Sequence, residues 1–151
     1  MSGSYARLCA APTPALVLGL AGLMPFLGIT GIVAGTESPL YAWWIMTLAQ
    51  YAAVILAFIG ALHWGYAMRS ELRATEAWLR YGWSVMPALI GWLALQFPVW
   101  TALRIEAGAL LLCLATDRAF ARAYGAPAWL LPLRFILTSV AAVSLLVASH
   151  A

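Results

Sequence analysis

Residues 41–68 read YAWWIMTLAQYAAVILAFIGALHWGYAM and include no Asp, Glu, Lys or Arg. As an α-helix this stretch is about 42 Å long, whereas a bilayer's hydrocarbon core is about 30 Å thick and takes about 20 apolar residues to cross. The whole chain of 151 residues has the same character, since 65% of it is hydrophobic and 9% is charged. Soluble domains have about 25% charged residues. The lipid bilayer is therefore predicted to be the main solvent of this chain.

Four further apolar stretches are long enough, or nearly so, to cross a bilayer. They are residues 14–34, 82–98, 99–117 and 130–149, by approximate bounds. Together with 41–68 they predict an all-α membrane protein, a bundle of five transmembrane helices in a single integral-membrane domain covering residues 1–151. Merging 82–98 and 99–117 into one crossing would leave about 36 residues for one helix, which is too many even with tilt.

The arginines indicate how the bundle is oriented. In a five-span zigzag six of them fall on one side, and the loops of the other side, 35–40 and the turn at Pro98, have none. The six are Arg7, Arg69, Arg73, Arg80, Arg118 and Arg122. By the positive-inside rule, the N-terminus is predicted in the cytoplasm or mitochondrial matrix and the C-terminus outside.

Composition and motifs exclude several classes of function. Eight Arg and no Lys, with a net charge of +3, are too few and too scattered for a nucleic-acid surface. Two distant Cys and two His do not supply the ligands of a metal or haem site. There is no HExxH, phosphate loop or spaced Ser–His–acid set. The longest polar connection, residues 69–80, leaves no room for a soluble domain. We therefore expect no enzyme activity, cofactor or metal.

An inner polar layer is predicted near the cytoplasmic ends of four spans, formed by His63, Ser84, Asp117 and Arg134. A charged side chain at mid-membrane costs about 2.5–3.5 kcal/mol on insertion scales, so such residues are candidates for function. Arg134 lies near a helix N-terminus, where the helix dipole disfavours a cation. Asp117 is the acid at the same depth, which predicts an Asp117–Arg134 ion pair.

His63 has three interpretations. Pro87 lacks an N–H and deprives the Trp83 carbonyl of its helical partner, which His63 or Ser84 would then satisfy. Alternatively, the inner layer binds a small amphipathic ligand, a lipid head group or a quinone, or His63 transfers protons. The candidate residues for ligand binding or for a structural polar layer are His63, Trp64, Trp83, Ser84, Asp117, Trp129 and Arg134.

An outer polar layer contains Arg104 and Glu106. Residues two apart on a helix point to different sides, so these two are not expected to pair. Glu106 is predicted to meet Gln50 or Gln96, or to be protonated. Alternatively, Arg104 or Glu106 contacts a partner protein.

Small residues recur at helical spacing in the first two spans. In the second span they lie every four positions, at Ala49, Ala53, Ala57, Ala61 and Gly65, and in the first they are Gly28, Gly31 and Gly35. Such residues let helices approach closely. We expect these seams to pack within the bundle, with a homodimer seam as the alternative.

Two segments, 60–65 (GALHWG) and 81–87 (YGWSVMP), resemble the signature segments of an uncharacterised membrane-protein family, the one that contains transmembrane protein 69. Similar positions elsewhere are 22–26 (GLMPF), 51–56 (YAAVIL), Asp117, and the run through Trp129, Arg134 and Thr138. The resemblance implies a small five-span-like protein of bacterial inner membranes or mitochondria, and it implies no reaction. Arg104 and Glu106 lie outside the similar pattern, which favours a local contact for them.

Three functions are compatible with the sequence. The first is an accessory, assembly or stabilising component of a larger complex in the bacterial inner membrane or the mitochondrial inner membrane. The second is a binder of a lipid head group or quinone at the cytoplasmic-leaflet layer. The third is a proton or solute carrier that uses Glu106, Gln50 and His63.

Overall fold

The structure is a computed structural model that describes residues 7, 10–35, 39–69, 71, 73–124 and 126–151, with residues 122–124 as helical backbone alone. The side chain of Arg122, and residues 36–38 of the predicted outer loop 35–40, lie outside the described residues. The described chain contains six helices and no strand: α1 (Thr13–Ala21), α2 (Met24–Gly35), α3 (Tyr41–Met68), α4 (Ala74–Ala94), α5 (Val99–Tyr124) and α6 (Leu130–Ala148).

The first predicted span is interrupted, so that α1 and α2 together occupy it. Gly22 and Leu23 form a turn between them. The physical cause is Pro25, which has no N–H to donate to the carbonyl four residues earlier. The carbonyl of Gly22 at this break accepts a hydrogen bond of 2.9 Å from the Tyr51 hydroxyl of α3. The carbonyl that Pro25 leaves without a helical donor is that of Ala21, and Tyr51 of the neighbouring helix satisfies the carbonyl next to it in the break.

Among the described residues, four helical segments are long and apolar enough to cross a membrane: Thr13–Gly35, Tyr41–Met68, Val99–Ala121 and Leu130–Ala148. The bounds of α3 agree with the predicted 41–68. The predicted 82–98 is wrong at both ends, because α4 begins at Ala74 and ends at Ala94. Its first turns carry Glu76 and Arg80, so apolar content alone does not reveal where this helix starts. Similarly, α5 continues beyond the predicted 117 to Tyr124.

The bundle is organised around α3, which packs against α2, α4, α5 and α6. The inward face of α3 consists of fully buried apolar side chains, among them Leu48, Ala52 and Leu56. Among the other helix pairs, α5 and α6 make the most extensive contact. The helices α1 and α2 also pack against α6. As a result α3, α5 and α6 meet along one core, and polar groups on their facing sides are enclosed.

The small residues of α3 contribute to packing only in part. Ala49 is buried, and Ala53 meets Gly91 of α4, where a Cβ would come within 3.0 Å of the Ala53 Cα. In contrast, Ala57 and Ala61 are exposed, and Gly65 has nothing within 4 Å. The predicted seam is therefore wrong for its second half. The tightest approach to α4 is made instead by Gly60, whose missing side chain leaves room for the backbone carbonyl of Ser84.

Candidate functional site

Three charged or polar side chains from three helices meet in the bundle. Asp117 of α5 accepts at Oδ2 from Arg134 Nε of α6, at 2.7 Å, and its Oδ1 lies 2.9 Å from His63 Nε2 of α3. The predicted Asp117–Arg134 pair is confirmed. A carboxylate only accepts hydrogen bonds, so His63 Nε2 carries the proton of this contact. We call these three residues the inner cluster.

The inner cluster is shielded from the surroundings. The side chains of His63, Asp117 and Arg134 are 8%, 11% and 10% exposed. At such burial the attraction between opposite charges is strong, and an uncompensated charge is costly. Asp117 and Arg134 cancel each other's charge, and His63 adds a hydrogen bond to the carboxylate. The arrangement thus fastens α3, α5 and α6 to one another at a single depth.

The space beside His63 is small. Its ring packs edge-on against Phe120, with ring centroids 5.3 Å apart. The adjoining cavity, bounded also by Tyr66, Asp117 and Arg134, has a volume of about 20 Å³. One water needs about 10–15 Å³ by the same measure. This space therefore accommodates a water molecule, whereas a quinone ring or a lipid head group exceeds it.

The other predicted inner-layer residues do not join the cluster. Ser84 donates a hydrogen bond of 2.6 Å to the Tyr81 carbonyl of its own helix. Trp64 is 45% exposed and packs edge-on against Tyr81 at 4.8 Å. Trp83 and Trp129 are partly buried. Of the seven candidates, the structure brings together His63, Asp117 and Arg134.

The hypothesis that His63 or Ser84 satisfies the Trp83 carbonyl is wrong. His63 directs Nε2 to Asp117, and its Nδ1 has no hydrogen-bond partner in the described part of the chain. Ser84 bonds to Tyr81. The reason is electrostatic, because a buried carboxylate is a stronger hydrogen-bond acceptor than a neutral carbonyl.

Beyond the inner cluster, two more polar groups lie along α6. Arg134 Nη2 and the Thr138 hydroxyl are buried and have no hydrogen-bond partner within the described residues. Thr138 follows Arg134 by one helical turn, so both lie on the same face. Both also line a second cavity, of about 120 Å³, between α6 and the α1–α2 break. In the sequence, Thr138 is marked only as part of the run that resembles the family, without a role.

The outer layer is split between the surface and the core. Arg104 donates from Nε to the Ser149 hydroxyl and from Nη2 to the Ser149 carbonyl, both at 3.3 Å. A cation at this helix C-terminus interacts favourably with the helix dipole. Glu106 is fully buried, and neither carboxyl oxygen has a hydrogen-bond partner among the described residues.

The predicted contacts of Glu106 with glutamines are wrong. Gln96 is exposed in the turn after α4 and donates to the Trp92 carbonyl of that helix, at 3.5 Å, and Gln50 is exposed on α3. Arg104 and Glu106 do not pair, as expected from their spacing. Glu106 is enclosed by its own chain and is therefore not accessible to a partner protein. Of these two residues, Arg104 is the one that a partner protein would contact.

Residues 11–149 match the family described as protein of unknown function (DUF3429). The chain belongs to this family. The match includes all six helices, the inner cluster and both cavities. It agrees with the resemblance seen in the short motifs, and the family supplies no established reaction.

Two curated relatives are named transmembrane protein 69. The protein of Xenopus tropicalis is 39% identical over 139 residues, covering 89% of this chain and 53% of the relative. The protein of Mus musculus is 34% identical over 88 residues, covering 57% of this chain and 35% of the relative. The chain thus spans about half of the frog relative's length and about a third of the mouse relative's. No solved structure matches.

These relatives and the apolar helices agree on one conclusion. The chain is a multi-pass, helical membrane protein of a family of unknown function.

Proposed function

We propose that this protein is an accessory or assembly component of a larger complex in the inner membrane, with five membrane crossings, its N-terminus inside and its C-terminus outside. The observation that carries the accessory role is an uncovered face of small residues on α2. The number of five crossings is supported by the relative directions of α3 and α5, two of the helices that carry the inner cluster.

The fifth crossing is α4. His63, towards the C-terminal end of α3, contacts Asp117, towards the C-terminal end of α5, and Asp117 in turn contacts Arg134 near the start of α6. It follows that α3 and α5 run in the same direction. A chain that leaves α3 on one side must therefore cross the bilayer before it enters α5. The 21 residues of α4 are about 32 Å long, which is sufficient for that crossing.

The orientation is supported by the arginines around the inner cluster. Arg69, Arg73 and Arg80 lie between the end of α3 and the first turns of α4, and Arg118 lies one residue after Asp117. The turn between α4 and α5, at the opposite end of the bundle, contains no arginine. The positive-inside rule places the inner-cluster end in the cytoplasm or matrix.

The topology predicts that a reporter fused after Ala151 is outside. In a bacterial host, alkaline phosphatase at this position is expected to be active, and a green fluorescent protein there to be dark. The same reporters inserted after Arg69 serve as the matched control, with the opposite result expected. A fluorescent C-terminal fusion would contradict the fifth crossing or the orientation.

The accessory role is supported by the outer face of α2. Phe26, Ile29 and Val33 are buried against the bundle, whereas Gly28, Gly31 and Gly35 are exposed and have nothing within 4 Å. These glycines are three and four residues apart, so they share one face of the helix. Between membrane helices, small residues permit close backbone approach. We assign this face to a helix of a partner subunit.

The accessory role predicts a complex that depends on the α2 glycine face. The full chain, extracted in mild detergent, is expected to migrate in a native complex well above the size of a detergent-bound monomer of 16.2 kDa. Gly31→Leu fills the face and is expected to release most of the protein as monomer. Gly65→Leu is the control, since Gly65 is also exposed in open space on α3. A monomeric wild type under every gentle condition, or equal behaviour of the two variants, would contradict the role.

The other two functions have less structural support. Binding of a head group or quinone beside His63 requires more than the 20 Å³ found there. A carrier path would have to join Glu106 to Asp117, which are about 16 Å apart along α5 by helical rise. Buried Leu110 and Cys113 occupy the interval between them on the same helix.

A further inference from the structure

The second cavity is separate from the space beside His63. It lies between the α1–α2 break, α3 and α6, and its volume is about 120 Å³. An engineered apolar cavity of about 150 Å³ holds benzene, and this one is smaller, so a six-membered ring would fill it and extend to its edge. Most of its wall is apolar, including Phe26, Ile55 and Ile59.

The cavity opens towards lipid rather than towards either aqueous side. Its edge is formed by Leu18 of α1 and Phe58 of α3, which are 72% and 60% exposed. Both are apolar side chains within helical segments long and apolar enough to cross a membrane, Leu18 in Thr13–Gly35 and Phe58 in Tyr41–Met68. Gly19 and Gly22 also line it, and a Cβ at Gly19 would lie 3.2 Å from Leu137 Cδ1, so α1 packs closely on α6 at this edge of the cavity. A molecule dissolved in the bilayer would enter sideways between α1 and α3.

Two residues of this otherwise apolar wall, Arg134 and Thr138, each carry a hydrogen-bond donor without a partner in the described structure. Thr138 is 2% exposed and Arg134 is 8% exposed, and neither the Thr138 hydroxyl nor Arg134 Nη2 has a partner in the described structure. A buried donor without a partner is costly, and such groups require an explanation. Threonine in a helix populates two χ1 rotamers, so its hydroxyl is able to turn towards the cavity.

Charge and depth define what these donors would bind. Arg134 is already neutralised by Asp117, so an anionic ligand would leave an unmatched charge inside the membrane. The acceptor is therefore uncharged, as a carbonyl oxygen is. Thr138 is the ninth of the 19 residues of α6, about 12 Å from its start. Phospholipid head groups lie at the membrane boundary, whereas a hydrophobic ring dissolves at this depth.

We propose that this cavity binds the ring of a membrane-dissolved quinone, with one ring carbonyl accepting hydrogen bonds from Thr138 and Arg134. The apolar wall surrounds the ring, and the tail leaves past Leu18 and Phe58 into lipid. Binding is reversible and involves no electron transfer. This inference goes beyond the accessory role and does not depend on it.

The test uses the full chain in phospholipid nanodiscs, titrated with a benzoquinone that carries a ten-carbon chain. A ligand that binds the folded state raises its unfolding temperature in a saturable way. Decylbenzene, which has the same tail and ring size without carbonyls, is expected to bind more weakly. Because phospholipid is present throughout in excess, a response to the quinone is not a response to head groups or ester carbonyls.

Thr138→Val is the decisive variant, since it keeps the shape and removes the donor. It is expected to weaken quinone binding roughly two- to tenfold, the range for one hydrogen bond, and to leave decylbenzene binding unchanged. Its stability without ligand is expected to be equal to or above wild type, because the hydroxyl has no partner to lose. Thr116→Val is the control, because Thr116 bonds to the Cys113 carbonyl and lies outside the cavity.

Three results would overturn the proposal. The first is an unfolding temperature that does not respond to the quinone, and the second is decylbenzene binding as tightly as the quinone. The third is unchanged quinone affinity in Thr138→Val.

Discussion

Replacing Asp117 with alanine is expected to destabilise the bundle by about 3–5 kcal/mol, the usual cost of removing one partner from a buried ion pair. Asp117 receives hydrogen bonds from both His63 and Arg134. Without it, the Arg134 guanidinium stays buried in the apolar region with no anion close to it. Reversible unfolding of the purified protein by SDS in mixed micelles would measure the change in free energy.

The physical reason for this cost predicts a rescue. Removing both charges, in Asp117→Ala combined with Arg134→Met, is expected to be less destabilising than Asp117→Ala alone. Replacing a whole buried pair by apolar groups is often nearly neutral, because the desolvation of both ions is also removed. Glu76→Ala is the control for loss of an acid, because Glu76 is exposed at the start of α4. Additive effects of the two inner-cluster substitutions would contradict the coupling.

The inner cluster shows how far sequence reasoning reaches in a membrane protein. Asp117 and Arg134 were predictable as a pair, since few charges lie inside the spans and opposite ones at the same depth must neutralise each other. The place of His63 was not predictable with the same certainty. Judged by membrane depth alone, the His63 side chain could reach either the Trp83 carbonyl or Asp117. Which of the two it contacts depends on the rotation of α3 about its own axis, and that rotation is set by packing.

Helix bounds were predicted well where composition changes sharply and poorly where it does not. The run 41–68 ends at polar or turn-forming residues on both sides, and α3 has these bounds. The beginning of α4 was not predicted, because its first turns contain the charged residues Glu76 and Arg80 and the helix extends beyond the apolar part of its sequence. The α1–α2 break is signalled by Pro25, but the hydroxyl of Tyr51 that satisfies it depends on tertiary contact.

Neither the role of Thr138 nor the cavity beside it could be predicted from the sequence, for a further reason. One threonine in an apolar helix is common and has no periodic pattern to mark it. Its importance comes from what α1, α3 and α6 leave unfilled between them, and the volume of such a gap depends on side-chain packing. Glu106 is similar, since its complete burial reflects the rotation of α5 rather than its depth.

The contact between α3 and α4 gives the second large expected effect, because it is close at the level of the backbone. Gly60→Ala is expected to destabilise the protein by about 1–3 kcal/mol, the range for overpacking in a tight interior. The added Cβ would collide with the carbonyl oxygen of Ser84 and approach the Pro87 ring. A flexible side chain could turn away, but a helix backbone has to shift as a whole, and α4 is held on its other side by α5.

Gly65→Ala separates this collision from the intrinsic helix preference for alanine. Both glycines lie in α3, and alanine is favoured over glycine by about 1 kcal/mol in a helix interior. Gly65 has nothing within 4 Å, so its substitution is expected to be neutral or stabilising in the same SDS unfolding measurement. If Gly60→Ala is as stable as Gly65→Ala, α3 and α4 do not approach as described. Gly91→Ala provides an independent measure of the same interface, because its Cβ would lie 3.0 Å from the Ala53 Cα at the other end of the contact.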